Sequence, residues 1–282
     1  MLSSRHRLCA CLAIIAIASL ATAGAARAQA FAGAPVLQDP ISARATAMGF
    51  TGAADNSDPA NIWFNPANAV GATGVYAEYA FWDLVPFPTF ELPLERWALG
   101  GSFRLSNSVD MGVSTTFGEL DYGTTYAYDT MGNIIPFESW ERYASLALAV
   151  ATRVDKRVDL RLGAAFKRVW AEYAPPSFVQ PPYSVVEGDG IACDVGTAVA
   201  VPTELSGWAV TPALGFAYVN FGGEIDCEDR GFDPFPARLH YGASIRVDGP
   251  DFALGPARVP LLSFVQNVDV VDRLHGDSYS WG

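Results

Sequence analysis

The chain has 282 residues, of which half are hydrophobic, and its 18 basic and 30 acidic side chains give a formal net charge of −12. This acidic excess argues against nucleic acid as a partner, because the phosphates would be repelled. No stretch after residue 30 has the length of a membrane-spanning helix, so an α-helical membrane protein is not expected.

Residues 1–30 have the three parts of a secretory signal peptide. Arg5 and Arg7 supply the positive region, residues 8–20 the apolar stretch, and Ala28-Gln29-Ala30 the cleavage site. With these flanks the apolar stretch is too short to span a membrane. We therefore expect residues 1–30 to be removed on export.

Residues 31–73 lack the alternation of a strand and are predicted to form a separate compact segment. The stretch 42–54 is rich in small residues and predicts a short helix interrupted by glycine. A turn cluster follows at 55–59, and Asn65-Pro66 initiates another turn, because proline restricts the residue before it. A barrel of more than about ten strands encloses a hole that its own side chains cannot fill. We predict that residues 31–73 fold back to plug that hole.

From residue 75 onward, nine segments alternate between apolar and polar side chains, which predicts β-strands. They lie near 75–82, 95–105, 109–118, 140–154, 158–172, 190–201, 208–221, 237–247 and 258–270. The breaks between them alternate between long (83–94, 119–139, 173–189, 222–236) and short (106–108, 155–157, 202–207, 248–257). Short turns at one rim and long loops at the other are typical of an antiparallel outer-membrane β-barrel.

Each predicted strand has one apolar face and one face of polar or small side chains, because successive side chains point to opposite sides. In segment 238–247, for example, Leu239 and its odd-numbered neighbours are apolar and the even-numbered residues are not. We predict that the apolar face meets lipid and that the other face lines the lumen. The ionisable side chains assigned to the lumen are Glu78, Arg104, Asp110, Asp159, Arg161, Lys167, Asp194, Arg238, His240 and Arg246. For them, structural pairing is favoured over conduction.

Alternation alone does not determine which face meets water, so a soluble periplasmic lipid-binding β-barrel is an alternative. The export signal, the loop lengths and the tryptophans near strand ends favour the membrane barrel. These tryptophans are Trp82, Trp97, Trp140, Trp170 and Trp208.

Three strings precede the predicted strands in a fixed order: residues 42–49 (Ser-Ala-Arg-Ala-Thr-Ala-Met-Gly), 53–56 (Ala-Ala-Asp-Asn) and 63–67 (Trp-Phe-Asn-Pro-Ala). They are similar to an N-terminal signature shared by FadL-type transporters and by PorV/PorQ-type outer-membrane proteins of the same superfamily. Residues 160–167, 193–196, 219–222 and 235–242 are similar, in the same order, to strand motifs of the PorV group.

The resemblance implies a barrel of about fourteen strands and an N-terminal hatch that carries the turn Asn65-Pro66-Ala67. The chain departs from the pattern at Asn68, where the family has glycine. It also yields only nine full strands and the start of a tenth, whereas such a barrel needs an even number. We expect the barrel region, 74–282, to be truncated at its C-terminus, with a small ten-strand barrel as the alternative.

Two of the four cysteines, Cys193 and Cys227, follow the signal peptide. Both are predicted to lie near the same rim, in an oxidising compartment. A disulfide between them and a pair of thiols are both left open.

The sequence contains no phosphate-binding glycine loop and no zinc-ligand spacing, so neither a cofactor, a bound metal nor enzymatic activity is expected. An outer-membrane esterase that uses Ser278 is a minor alternative. The resemblance implies a role in receiving exported cargo for a secretion machine, if PorV-like, or a channel for hydrophobic small molecules, if FadL-like. We favour the first because the strand motifs match it better. The expected location is the bacterial outer membrane, with membrane lipid, lipopolysaccharide and either secretion components or a hydrophobic ligand as partners.

Overall fold

A computed structural model describes residues 34–38, 42–71, 74–83, 92–154, 158–175, 185–227, 231–254, 257–260 and 262–273. The predicted signal peptide and Ser278 lie outside the described residues. No helix within the described ranges is both long and apolar enough to cross a membrane.

The described chain is dominated by β-strands. They are β1 (Gly74–Asp83), β2 (Pro93–Arg104), β3 (Val109–Tyr128), β4 (Ile134–Val154), β5 (Val158–Tyr173), β6 (Val186–Ala200), β7 (Thr203–Leu205), β8 (Trp208–Gly222), β9 (Glu224–Cys227), β10 (Gly231–Pro234), β11 (Arg238–Asp248), β12 (Asp251–Leu254), β13 (Ala257–Pro260) and β14 (Ser263–Arg273).

Twelve of these strands form one curved antiparallel sheet, in which β7, β9 and β10 pair at the margin. The other nine follow one another in the order β1-β2-β3-β4-β5-β6-β8-β11-β14. Each overlaps one of the nine predicted strands, so the all-β antiparallel class is confirmed. Within the described ranges, β1 and β14 are the two edges of this sheet and do not pair with each other. The sheet is therefore an open arc of barrel wall.

Two predicted connections are wrong. The predicted long loop 119–139 is mostly strand, because β3 and β4 continue to Tyr128 and Ile134 on either side of a short turn. The predicted short connection 248–257 is part of a longer one that contains the β12–β13 hairpin. Loop length therefore alternates less regularly than expected, whereas the strand positions follow the prediction.

A bulge in β3 explains why the two-residue alternation did not predict that this strand continues beyond residue 118. The register shifts between Asp121 and Gly123, so that Tyr122 is an extra residue opposite β4. Up to Asp121 the odd-numbered residues of β3 face outward. From Gly123 onward the even-numbered residues do, because one inserted residue exchanges the two faces of the strand.

The two faces of the sheet differ as predicted. On the outer face, large apolar side chains are about half exposed, including Leu99, Leu148, Leu162, Phe166 and Leu214. The inner face carries buried polar side chains such as Arg161, Lys167 and Asp194. This is the reverse of a water-soluble barrel, whose apolar face is turned inward.

The outer apolar belt has the height of a bilayer core. On β4 it runs from Ala144 to Val154, a length of roughly 33 Å at the usual strand rise. A strand tilt of about 45° reduces this to about 23 Å along the barrel axis, close to the apolar band of about 25 Å in outer-membrane barrels.

Polar and aromatic side chains form the upper limit of this belt, at the end where the predicted long loops lie. We call the outward residues that neighbour each other there the boundary row: Phe81, Glu95, Glu119, Arg142, Trp170 and Asp189. Trp97 lies just below the row and Trp140 just above it. Trp82 lies near the end of its strand as predicted, but it pairs with Leu94 on the inward-facing side.

The N-terminal part of the described chain lies against the concave inner face. It contains 3-10 helices at Pro35–Leu37, Pro59–Trp63 and Pro66–Ala69 and a short α-helix, α1 (Ala43–Ala47). The Pro66–Ala69 turn contacts β2, β3, β4, β5 and β6. We call residues 42–71 the plug and residues 34–38 the strap.

Candidate functional site: a plug held against the inner wall

The plug rests on a row of small residues that crosses six strands. Register pairing makes these residues direct neighbours, and we call them the small-residue row: Ser102, Gly112, Ala149, Gly163, Gly196 and Ala217. Ser102 also donates a hydrogen bond from its hydroxyl to the carbonyl of Gly71. The row is a shallow channel across the wall in which the plug backbone lies.

The glycines in this row are required by close approach of the plug. A Cβ atom on Gly163 would overlap the backbone of Pro66 and Ala67, and one on Gly196 would overlap the Asn65 side chain. A Cβ on Gly112 would overlap the carbonyl of Ala69. Glycine within a strand often marks a site where another backbone comes this near.

The predicted turn Asn65-Pro66-Ala67 forms the centre of this contact. The Asn65 side-chain oxygen accepts a hydrogen bond from the Ala67 amide at 3.0 Å and caps the helical turn that begins at Pro66. Its side-chain nitrogen donates to the carbonyls of Ala53, at 2.8 Å, and Thr197, at 3.0 Å. Asn65 therefore joins two parts of the plug to β6.

Arg161 on β5 binds the plug from below. Its guanidinium donates to the Asn68 side-chain oxygen at 2.9 Å and to the Ala54 carbonyl at 3.0 Å. The Asn68 amide donates in turn to the carbonyls of Gly52 and Asn61. Asn68, at the position where the chain departs from the PorV/PorQ-type signature, thus links the plug to a buried cation.

We predict that Asn68→Gly lowers the free energy of unfolding by about 1–3 kcal/mol, because it leaves a buried guanidinium N–H of Arg161 without its acceptor. Chemical denaturation of the refolded protein in detergent measures the change. The control is Asn107→Gly in the exposed β2–β3 turn, which should have little effect. Equal stability of the two variants would contradict this role of Asn68.

Asp269 on β14 holds the other side of the plug. One of its carboxylate oxygens accepts hydrogen bonds from the amides of Gly52, at 2.6 Å, and Ala53, at 2.8 Å. Asn267, two residues earlier on the same face, donates to Asp55. The plug is therefore bound to the neighbouring strands β5 and β6 and also to β14, three positions further along the arc at the edge of the sheet.

The strap is bound above the plug by a carboxylate. Glu141 is buried, and its two oxygens accept hydrogen bonds from the Val36 amide and from the hydroxyls of Tyr122 and Tyr173. Val36 and Leu37 pack into an apolar cluster of the upper lumen that includes Leu94, Leu120, Val169 and Phe235.

Two further wall residues contact the strap through its carbonyl groups. Arg238 donates to the Gln38 carbonyl at 2.6 Å, and Asn220 donates to the Leu37 carbonyl at 3.3 Å. Arg238 thus holds the strap through a backbone carbonyl, a contact that no sequence pattern could indicate.

A buried ion pair lies between the strap and the plug. Lys167 on β5 and Asp194 on β6 are 2.7 Å apart and almost completely inaccessible to solvent. Lys167 also donates to the Asn220 side chain, whose own backbone amide donates to Asp194. The ammonium lies 5.3 Å from the ring centre of Trp63 in the plug.

The remaining predicted lumen charges lie nearer the ends or the edge of the wall. Arg104 pairs with Asp110, Asp159 pairs with Arg153, and Arg246 pairs with Asp248. The first two pairs border a cavity of about 210 Å³ between the plug and the short-turn rim. On β1 and β2, Glu78 pairs with the buried Arg96 at 3.1 Å. His240 is buried with its ring edge-on to Phe64 of the plug.

Four important inner-wall residues were not predicted: Arg96, Glu141, Asn220 and Asp269. Three of them carry charges on the polar side of a predicted strand, so the alternation contained a signal for them. Arg96 and Glu141 lie at the ends of their predicted segments, where the face assignment is weakest. Asn220 has a positive φ beside an irregularity in the pairing of β6 with β8, and no sequence pattern indicates its inward contacts.

Cys193 and Cys227 do not form a disulfide. Cys227 pairs with Gly188 of β6, and Cys193 lies five residues further along that strand. The Cα atoms of Gly188 and Cys193 are therefore about 16 Å apart along the strand, whereas a disulfide needs the two cysteine Cα atoms within about 7 Å. An odd number of steps also places the two side chains on opposite faces of the wall.

Within the described ranges, no group of three or more His, Cys, Asp or Glu side chains is arranged to hold a metal ion. The inward-facing charged side chains described above instead pair with one another or bind the plug and the strap. The arrangement therefore fixes the plug against the wall.

No protein-family model matches this sequence, and no curated protein matches it. Among solved structures, the chain is similar to the outer membrane transporter YddB from Escherichia coli, at 12% sequence identity and a TM-score of 0.32. The match covers 58% of this chain and 24% of that transporter, so the chain spans about a quarter of its length. Similarity at this level identifies neither a family nor a function, and the resemblance to PorV/PorQ-type proteins stays a prediction.

Proposed function

We propose that the chain forms the wall and plug of an outer-membrane β-barrel that acts in the transfer of molecules across or into that membrane. One observation carries the proposal: the outer face exposes a continuous apolar belt of bilayer height, while the inner face buries ion pairs and a polar plug. In water the belt would be a large exposed apolar patch, which soluble monomers rarely have.

The first test is how the folded protein behaves in detergent. We expect the refolded protein to need detergent or lipid to remain in solution and to migrate differently on gels before and after boiling, because a paired β-wall resists dodecyl sulfate until heated. A protein that stays monodisperse in plain buffer would contradict the proposal and support a soluble periplasmic barrel.

Within this function we propose a PorV-like role, in which the barrel receives exported proteins for a secretion machine. The order of the motifs supports this role, and so does a plug that hydrogen bonds hold against the inner wall, since such a plug does not favour passage of a small molecule. Deleting the gene and measuring which exported proteins are retained in the periplasm tests it. Unchanged export would contradict this role.

A FadL-like channel for hydrophobic small molecules is the second candidate. The apolar cluster around the strap favours it, because an apolar compound could occupy the same surroundings as Val36 and Leu37. Binding of a fluorescent fatty acid to the detergent-solubilised protein, with weaker binding in a Phe235→Ser variant, would support this candidate over the secretion role.

A further inference from the structure

The β3–β4 hairpin projects beyond the rest of the wall. Pairing of β3 with β2 ends at Leu120, and pairing of β4 with β5 ends at Trp140. Among the described strands, residues 121–139 therefore pair only within the β3–β4 hairpin. We call these residues the arm.

The arm has a fixed shape. At its tip, the Asp129 carboxylate accepts hydrogen bonds from the backbone amides of Met131 and Asn133 and from the Asn133 side chain. On its inner face Ala127 and Phe137 are buried, with Ala174 and Val185 of the β5–β6 connection packed against them. Its outer face is consequently presented without a large loss of conformational entropy on binding.

The outer face of the arm is aromatic and apolar, although it lies outside the apolar belt. Tyr126 is 63% exposed, Tyr128 49%, Met131 83% and Ile134 59%. Tyr126 pairs with Pro136 and Tyr128 with Ile134, so these side chains form one patch. The bulge at Asp121–Gly123 turns both tyrosines outward; without it they would point into the lumen.

The position of the patch identifies what it faces. From Arg142 in the boundary row to Ile134 the strand rises roughly 26 Å, which is about 19 Å along the barrel axis at a tilt of about 45°. The patch thus stands above the hydrocarbon layer, on the leaflet-facing side of the wall. The sugar headgroups of the surrounding glycolipid lie at that height and on that side.

The chemistry of the patch fits sugars as well. A tyrosine ring packs against the apolar C–H face of a sugar, while its hydroxyl remains free to bond to the sugar hydroxyls. The arm carries Asp121, Asp129 and Glu138 and no basic residue, so it would repel phosphate groups as well as a second copy of the arm. Its attractive contacts are therefore to neutral sugar rings.

We propose that the arm binds the core oligosaccharide of lipopolysaccharide through Tyr126 and Tyr128. This inference rests on the proposed outer-membrane location and names the partner of the exposed wall above the bilayer. The binding would hold the barrel at a fixed depth and orientation in the outer leaflet.

The test uses the refolded full chain in detergent and two probes: purified lipopolysaccharide with a complete core oligosaccharide, and lipid A without it. We expect the protein to bind the first about tenfold more tightly, a preference of the size that one or two aromatic contacts supply. Tyr126→Ser/Tyr128→Ser should remove this preference without changing lipid A binding. Tyr241→Ser is the matched control, because this tyrosine is also exposed but lies within the apolar belt.

Three results would overturn the inference. One is equal binding of both probes by the unmodified protein. Another is a preference that survives in the double variant but is lost on chelation of divalent cations, which would assign it to ions bridging carboxylates and phosphates. The third is a concentration-dependent dimer that disappears in the double variant, which would assign the patch to a second copy. Failure of the proposed location itself looks different, because the protein would then be soluble without detergent.

Discussion

Replacing Lys167 by methionine is expected to lower the free energy of unfolding by about 3–5 kcal/mol, the usual effect of removing one partner from a buried ion pair. The loss is large because Asp194 would remain charged and buried, with the Asn220 amide as its remaining donor among the contacts described above. Chemical denaturation of the refolded protein in detergent measures it.

A second substitution separates the charge from the packing. Lys167→Met combined with Asp194→Asn removes both charges and keeps an acceptor for the Asn220 amide, so it should recover at least half of the loss. Arg153→Met is the control, because its pair with Asp159 is solvent-exposed and such pairs contribute at most about 1 kcal/mol. If Lys167→Met and Arg153→Met cost the same, the buried pair stabilises the wall no more than an exposed pair does.

Replacing Gly163 by alanine is expected to release the plug from the wall. The new Cβ would overlap the backbone of Pro66 and Ala67, which cannot rotate away as a side chain can. We expect a cost of about 3 kcal/mol, the upper end of the range for overpacking, and faster hydrogen exchange of the amides between residues 52 and 70.

The matched control for this substitution lies one residue further along the strand. Ala164 faces outward, so Ala164→Val adds more volume than Gly163→Ala but should leave exchange in the plug unchanged. Plug amides that stay equally protected in both variants would contradict the close contact at Gly163. Loss of plug protection together with unfolding of the wall would instead mean that the plug and the sheet fold as one unit.

These two predictions concern different contacts on the inner face of the wall. The ion pair joins two neighbouring strands behind Trp63, whereas the small-residue row allows the plug backbone to lie against five or six strands at once. Asn65, Arg161 and Asp269 then fix the plug by hydrogen bonds. Movement of the plug would require the hydrogen bonds of Asn65, Arg161 and Asp269 to break together. A large, cooperative rearrangement of the plug is therefore favoured over a local one.

The sequence predicted the strands well because their evidence is local. Two-residue alternation follows from the geometry of a single strand, so the segment around Leu239 and the segment around Leu162 could be assigned to one face without knowledge of their neighbours. The same alternation located Arg161, Lys167 and Asp194 on the inner face. The alternation did not predict that β3 continues past Tyr122, because this inserted residue exchanges the two faces of the strand.

The contacts of the plug could not be predicted in the same way. Gly112, Gly163 and Gly196 are far apart in sequence and become neighbours only through the register of four strands. They are needed because of contacts with a segment about 40 to 130 residues earlier in the chain. The disulfide question was also decided by register, since the odd number of steps between Gly188 and Cys193 places the two sulfurs on opposite faces.

The amino-acid order by itself thus determined that the chain forms two-faced antiparallel strands, which face of each is apolar, and that residues 31–73 differ from the rest. Tertiary structure alone decided which inward charges meet, where the plug rests and how far the arm projects. The physical reason is that face alternation is a property of each strand's own backbone, whereas pairing, close approach and burial depend on strand register and on distances between residues remote in sequence.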